Sequence, residues 1–542
     1  MNMQSVSRSP AGERFGVRAY RLALFLVIFA IGCGKCGHSS TATSTGVERV
    51  LPRGAVGVVV VPSLAAAGQK LRILEALKVT AFAAQLKGFD DGKAFADALV
   101  SEFGVDVRSA EALEKAGVDG SRAAAVAVLV TGHAYLALPV KNENKLHATL
   151  QALALQRLGA TTMSEQKFGD LAVKTFSSAM LPKLGYVVAQ GYALITDGAG
   201  IQKLPGIAAM TEADSLSADK AYATGVEKLP KDRDVVVYLP LGTPALAQAP
   251  FTSATGSISL TPAGLTVTAN ATWKGDPAQL DALQPRESKS LLGYLPNDAF
   301  LVARYSGDPA KLGPWTHQFL GTYLNRAFDE GGFDLKAQVL DQLQPGVVAS
   351  LSLSEQPPMD KGMPTLDLRQ TNPFTWVHLS GVASSRTPAA VLPAMEKIAA
   401  LAPKFGAQMS LRERPDGQKA MITTYAQGEG VHLAPKGELV FFASPVQRLD
   451  ALVKSDGKGA AWVEGLGDEA VAVAIDLTKL AASVRALPES AWGLGGFAIK
   501  ATTVRWLDAT DDLKRVTISV GAKERVVQAK VVLTLGGAAR AP

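Results

Sequence analysis

Several side-chain arrangements in this sequence are of the kinds that do chemistry. Two thiols stand three apart in Cys33-Gly34-Lys35-Cys36, a spacing that supports dithiol–disulfide exchange where a strand runs into a helix. Six histidines occur, His38, His133, His147, His317, His378 and His432, none three or four residues from another. A zinc site needs three or four converging ligands, so these residues make a metal centre only if distant segments assemble it. Their ordinary role is at the surface or in hydrogen bonds. A serine followed three residues later by lysine, the pairing in which a lysine or nearby carboxylate deprotonates a nucleophile, occurs at Ser164-Lys167, Ser217-Lys220 and Ser455-Lys458, without the S-D-N or K-T-G segments that would complete it. The acidic pairs Asp90-Asp91, Asp329-Glu330 and Asp511-Asp512 would act as acid and base only if one carboxyl were held in an apolar pocket. Their Gly- and Lys/Arg-flanked settings point instead to solvated turns or helix ends. Trp273, Trp315, Trp376, Trp462, Trp492 and Trp506 fall mostly in the second half, where core packing is their expected role and a ligand groove the alternative. No catalytic residue, metal site or cofactor is assigned from these arrangements.

The segment before Cys33 gives that thiol its meaning. Arg8, Arg14, Arg18 and Arg21 form a basic start, and Leu22–Gly32 (LALFLVIFAIG) is an unbroken apolar run of 11 residues. A membrane-spanning helix needs about 20, so the run has the length and flanks of a secretory signal. Ala30-Ile31-Gly32-Cys33 resembles the lipobox of bacterial lipoproteins. That resemblance implies diacylglyceryl transfer to the Cys33 sulfur, cleavage of residues 1–32, and acylation of the new amine. Two or three chains anchor stably, since each buried methylene contributes about 0.8 kcal/mol and a single chain is marginal. Cys36 is then the one other cysteine, and no intrachain disulfide forms. Gly34 stands where some of these families carry an inner-membrane retention aspartate, which favours the periplasmic face of the outer membrane.

Losing residues 1–32 removes four arginines and Glu13 from a chain of 55 basic and 49 acidic residues, leaving a net charge of +3. That excludes a dedicated nucleic-acid binder. With 47% hydrophobic and 19% charged residues, the chain is a folded globular protein. Residues 33–46, small and polar after Cys33, read as a flexible tether; the thirteen from 34 to 46 span at most about 45 Å.

From residue 47 onward the chain reads as a duplication. Leu51-Pro52 before Val58–Val61 matches Leu295-Pro296 before Leu301–Ala303. Gly104–Val107 matches Gly332–Leu335, Gly191–Ile195 matches Gly437–Phe441, Ile201–Leu204 matches Val446–Leu449, and Val235–Tyr238 matches Val471–Ala474, in the same order. The first repeat spans 47–285 and the second 290–536. Alternation marks strands at Leu265–Thr272 and Val516–Val520, and Val126–Leu129 with Ala134–Leu138 reads as a hairpin over Thr131-Gly132. Lys145–Leu158 and Pro388–Ala402 read as helices, the second with Thr387 as N-cap and Pro388 at the first helical position. The fold expected is α+β: two lobes, each an antiparallel sheet with helices on one face. A second Leu-led strand start in each half, at Leu229 and Leu466, leaves room for two sub-sheets per lobe. These modules resemble those of exported bacterial proteins with no assigned activity. His133 and His378 occupy comparable strand positions in the two halves without aligning residue for residue.

The leading expectation is a non-enzymatic binding or scaffolding module, lipid-anchored in the cell envelope through Cys33. Two alternatives stay open. One is a small-molecule or lipid carrier with its site between the lobes; the other is an enzyme with a dispersed site. An envelope protein partner would meet the segment 354–372 (SEQPPMDKGMPTLDLRQTN), which replaces the short turn of the first half. Its prolines Pro357, Pro358 and Pro364 make it a poor strand or helix, and Met359 and Met363 give adaptable apolar contacts. A tolerated spacer is the plain alternative, because loop length costs little stability.

Overall fold

The computed structural model describes residues 46–94, 97–98, 105–179, 181–242, 250–288, 290–313, 328–353, 359–360, 363–364, 377–425, 428–458, 466–487 and 496–536. Cys33 and the signal segment lie outside these residues. Two compact units divide between Lys274 and Gly275. Among the described residues no helix is long and apolar enough to cross a membrane.

The first unit carries β1 (Ala55–Val61), β2 (Ala124–Leu129), β3 (Ala134–Pro139), β4 (Thr162–Phe168), β5 (Leu171–Ser178), β6 (Leu181–Ala189), β7 (Tyr192–Thr196), β8 (Val235–Leu239), β9 (Phe251–Thr261) and β10 (Gly264–Trp273). Its helices are α1 (Leu64–Ala76), α2 (Lys78–Leu86), α3 (Ala110–Lys115), α4 (Glu143–Leu158), α5 (Leu204–Ala208) and α6 (Lys220–Glu227). All pairings are antiparallel, in the order β10-β9-β8-β1-β2-β3-β7-β6-β5-β4. Because β8 pairs directly with β1, Val58 opposite Tyr238, the unit holds one continuous sheet rather than two sub-sheets. The helices start where the side chains allow: the Ser63 hydroxyl accepts the Ala66 amide at 3.3 Å, and the Asn142 side chain accepts the Lys145 amide at 3.0 Å, each replacing a partner the first turn lacks.

Helices on one face is the expectation this sheet overturns. Val58 and Val60 pack with Tyr135, Leu194, Leu204 of α5 and Val226 of α6. Val61 points the other way, into a core with Leu64 of α1, Leu113 of α3, Leu146 of α4 and Ile195. Neighbouring strand residues point to opposite faces, so both faces are buried under helices. The physical reason is visible in the strands: Val58–Val61 and Tyr192–Ile195 are unbroken apolar runs, as doubly covered strands require. Fully burying one such side chain contributes about 1.5–3 kcal/mol.

The second unit carries β11 (Leu301–Tyr305), β12 (Val347–Leu353), β13 (Met359–Asp360), β14 (Met363–Pro364), β15 (Val377–Ser384), β16 (Ala407–Glu413), β17 (Lys419–Tyr425), β18 (Gly428–Glu429), β19 (His432–Lys436), β20 (Leu439–Ser444), β21 (Val471–Asp476), β22 (Leu513–Lys523) and β23 (Val526–Leu535). Its helices are α7 (Leu335–Gln338), α8 (Pro388–Leu401), α9 (Val446–Lys454), α10 (Leu477–Ala486) and α11 (Gly496–Ala509). The main sheet runs β23-β22-β21-β11-β12-β15-β20-β19-β17-β16, again antiparallel. Leu449, Leu452 and Val453 of α9 close one core over Val302, Val348, Val382 and Phe441. Thr387 does precede α8 and Pro388 opens it, but the Thr387 hydroxyl makes no cap hydrogen bond. Its backbone amide instead donates to Ser385 Oγ at 3.2 Å.

Candidate functional site

Among the described residues of the second unit, a convergence of polar groups lies where β12 and β15 meet the connection 354–376. Ser352 and His378 sit directly opposite each other on β12 and β15, the last turns of sheet before that connection. Asp298 comes from the segment after Leu295-Pro296, just before β11, and Arg448 from the first turn of α9. Arg448 Nη1 donates to Asp298 Oδ1 at 3.0 Å, and its Nη2 donates to Oδ2. Its Nε donates to His378 Nδ1 at 3.0 Å. The Ser352 hydroxyl, buried at 1% exposure, donates to Asp298 Oδ1 at 3.2 Å. The fork of the guanidinium matches the carboxylate two-on-two, the geometry that makes such pairs directional.

The electrostatics come from this placement. Burial alone would raise the Asp298 carboxyl, but the hydrogen bonds and charge of Arg448, with Ser352, outweigh it and hold it below the ordinary range. Burial, reinforced by the neighbouring guanidinium, holds the His378 imidazole below its ordinary value against the opposing pull of Asp298. With Nδ1 accepting from Arg448, neutral His378 carries its proton on Nε2. Serine, histidine and aspartate are thus together, but not in the order nucleophilic catalysis needs. The serine proton goes to the aspartate, and the imidazole nitrogen nearest the cluster is already occupied.

A second histidine holds the helix from which Arg448 projects. His432 is fully buried on β19; its Nδ1 accepts the Thr423 amide at 3.0 Å, which leaves the Nε2 proton to donate to Glu429 Oε2 at 3.0 Å. The same carboxylate oxygen accepts the Val446 amide at 2.9 Å. Pro445 at the N-cap offers no side-chain cap, and Glu429 fills that role with a charge suited to a helix N-terminus.

The other expected residues are dispersed. His147 Nδ1 lies 2.8 Å from the Tyr186 hydroxyl, His133 lies in the turn after β2, its carbonyl accepting the Leu129 amide at 2.9 Å, and His38 and His317 lie outside the described residues. Ser164 and Lys167 are both on β4, three apart and so on opposite faces. Ser217 Oγ meets Ser215 Oγ at 2.6 Å, and Lys458 pairs with Asp456 at 3.1 Å. Asp91 accepts the Ala94 amide at 2.7 Å as a helix cap, and Asp511 accepts from Arg485 at 2.8 Å. Trp273 is buried edge-on to Phe251, whereas Trp506 is 53% exposed, against the expectation of core packing; the other four tryptophans lie outside the described residues. Among the described residues no group of three or more His, Cys, Asp or Glu side chains is placed to hold a metal ion.

Of the expected partner segment, Pro357 and Pro358 lie outside the described residues. Met359, Met363 and Pro364 are placed, and they correct the expectation that the segment holds no strand. Met359 pairs with Pro364, and Asp360 with Met363, in the two-stranded ribbon β13–β14. Its physical basis is local: two residues, Lys361-Gly362, separate the strands, the length of a tight hairpin, and Pro364 stands at a strand end where its missing N–H costs least. Asp298, Ser352 and Arg448 carry no motif that spacing would reveal, although Arg448 falls within the matched block Val446–Leu449.

No protein-family model matches the chain, and no curated protein does. Among solved structures it is similar to TP0453 in crystal form IV (8% identity, TM-score 0.23, covering 43% of this chain and 83% of that one), form III (9%, 0.24, 44% and 89%) and form I (10%, 0.23, 42% and 79%).

Proposed function

We propose that this chain is a lipid-anchored protein of the bacterial cell envelope, a non-enzymatic binding or scaffolding module. Cys33 holds it at the periplasmic face of the outer membrane, and the segment 354–372, within the connection from β12 to β15, meets a protein partner. The observation that carries the reading is Ala30-Ile31-Gly32-Cys33 directly after an 11-residue apolar run. Packing is in keeping with it: Val47, Val50 and Leu51, the residues directly after the proposed tether, belong to the core of the first unit. The polar cluster supports a non-catalytic role, because Arg448 and Asp298 engage the histidine and serine in a closed ion-pair network.

The body is proposed to be two copies of one unit. Strand pairing supports this, since the two sheets share one order. Val59 lies opposite Val126 and Val237, and Ala303 opposite Ala349 and Val473, at the register the sequence match requires. On that equivalence the pair Leu129–His133 corresponds to Ser352–His378, so the two histidines would align residue for residue, unlike the expectation from sequence, and the second copy then departs from the first by its charged cluster and its long connection.

The test is fractionation of cells expressing the wild-type chain and Cys33→Ala, with mass spectrometry of the mature N-terminus. Wild type is expected in the membrane fraction with an acylated Cys33, and the variant uncut or released. A variant that fractionates and migrates as wild type would overturn the anchoring.

A further inference from the structure

Strand β4 is the outer strand of its run. Among the described residues it pairs with β5 alone, and all seven of its residues are exposed. Phe168 and Leu171 close a two-residue turn over Gly169-Asp170, with Gly169 at φ 59°. In such a hairpin the closing pair is hydrogen-bonded, and the bonding alternates outward from it. The amides and carbonyls of Ser164, Gln166 and Phe168 therefore serve β5, and those of Met163, Glu165 and Lys167 face outward. An exposed row of backbone donors and acceptors is a template for another strand.

The charges on this edge select which strand. Glu165 and Lys167 flank Gln166, and neither has an ion-pair partner among the described residues; Lys174, opposite Glu165 on β5, turns to Glu143 at 3.5 Å. A lysine alone on an edge discourages pairing. A glutamate two residues before it makes the edge complementary to itself. We propose that β4 is a homotypic interface, at which two copies of this chain pair antiparallel about Gln166. Glu165 of each copy then faces Lys167 of the other, twice by symmetry, and Ser164 faces Phe168. The outward-facing backbone of Glu165 and Lys167 supplies the new ladder. Gln166 meets its own copy in a non-hydrogen-bonded pair, whose Cα atoms approach to about 4.5 Å. The contact is isologous and closes on itself, giving a dimer rather than a fibre. The matching outer strand of the second unit, β16, carries Arg412 and Glu413 as its last charged residues, so a charge-matched register there would overlap only the strand end.

The experiment uses the full chain in detergent, in a Cys36→Ser background with that parent as control. Gln166→Cys is expected to give a disulfide-linked dimer on mild oxidation, because a Cα separation of about 4.5 Å lies within the range a disulfide spans. Ser164→Cys, displaced from its own copy by four residues, is expected to give none. In sedimentation, Glu165→Lys or Lys167→Glu alone should weaken the dimer on the order of tenfold, since two facing pairs become like-charged. The double exchange Glu165→Lys with Lys167→Glu should restore it. A chain monomeric throughout, equal cross-linking at 164 and 166, or a double exchange as weak as the singles would overturn the proposal. So would cross-linking of Gln166→Cys to a different protein, which would assign the edge to another partner.

Discussion

The guanidinium of Arg448 reaches two strands and the segment before β11 at once, through Ser352, His378 and Asp298. Charge-assisted hydrogen bonds contribute about 1.5–3 kcal/mol when sheltered, whereas exposed ion pairs contribute about 0–1 kcal/mol. Arg448 is 21% exposed and Asp298 53%, so Arg448→Met is expected to cost about 1–2 kcal/mol, between those limits, as read by chemical denaturation. The same substitution carries a sharper sign. In the folded chain burial and then Arg448 depress the His378 pKa below 6.5. The unfolded chain therefore takes up the proton first as pH falls, so this contribution to stability is complete above about 6.5 and is lost progressively below it. Removing Arg448 removes a depressing charge. The C2 proton resonance of His378 should then titrate at higher pH in Arg448→Met, and the acid loss of stability should be shallower. An unchanged or lower midpoint would separate the imidazole from the guanidinium. None of this network shows in sequence spacing, because Arg448 and Asp298 are 150 positions apart and Arg448 and Ser352 are 96 apart.

At the scale of elements, helix packing rests on small residues. Gly68 lies within α1, where a Cβ would come 1.6 Å from the Val107 carbonyl oxygen, a backbone atom that cannot swing away. Gly206, within α5, has open space at that point and an ordinary φ. Gly68→Ala is expected to destabilise by about 3 kcal/mol or more through overpacking. Gly206→Ala is expected to stabilise by about 0.5–1 kcal/mol, since alanine restricts the unfolded chain. Thermal melts that rank them the other way would refute the packing of α1 on 107–108. Much at this scale was legible: α4 agrees with apolar periodicity, and β2 and β3 do form a hairpin, although its turn runs through residues 130–133 rather than the two residues Thr131-Gly132. Burial of both sheet faces was legible too, in Val58–Val61. The alternation at Leu265–Thr272 hid it, since those residues of β10 are mostly half-buried on both faces. On the proposed duplication, glycine misleads one register. Gln190 and Gly191 both have positive φ, at 51° and 77°, whereas in the corresponding turn only Gly437 does, at 58°. The glycine is second in one two-residue turn and first in the other. Aligning Gly191 with Gly437 therefore shifts the match by one. Pairing sets Leu194, opposite Ala137, against Phe441, opposite Val382.

For the whole molecule, if the two units are copies of one another as proposed, what most sets the second apart is one connection. β2 passes to β3 through residues 130–133, with Gly132 at φ 81° making the turn. β12 passes to β15 through 354–376, although Leu353 and Val377 are already opposite each other. The sheet is thus closed before the connection begins, and Ser352, His378, Arg448 and Asp298 tie its base together. A long connection that leaves from a charged base fits the proposed partner segment, and compact domains seldom keep a connection this long without a use. Replacing 354–376 by Asn-Gly joins Leu353 to Val377 through a two-residue hairpin turn whose backbone twist suits antiparallel strands. Because closing a longer loop costs only about 0.6 kcal/mol per doubling, going from these residues to two, between three and four doublings, should leave the shortened chain no less stable than wild type and at most about 2 kcal/mol more stable. If the connection is the partner site, envelope proteins that cross-link to the intact chain in cells should be absent with the shortened one, while Cys33-dependent fractionation stays the same. The same cross-links at the same stability would make 354–376 a spacer and place the partner on another surface. A large loss of stability would instead mean that the connection packs as part of the fold, and that Ser352 and His378 are its supports.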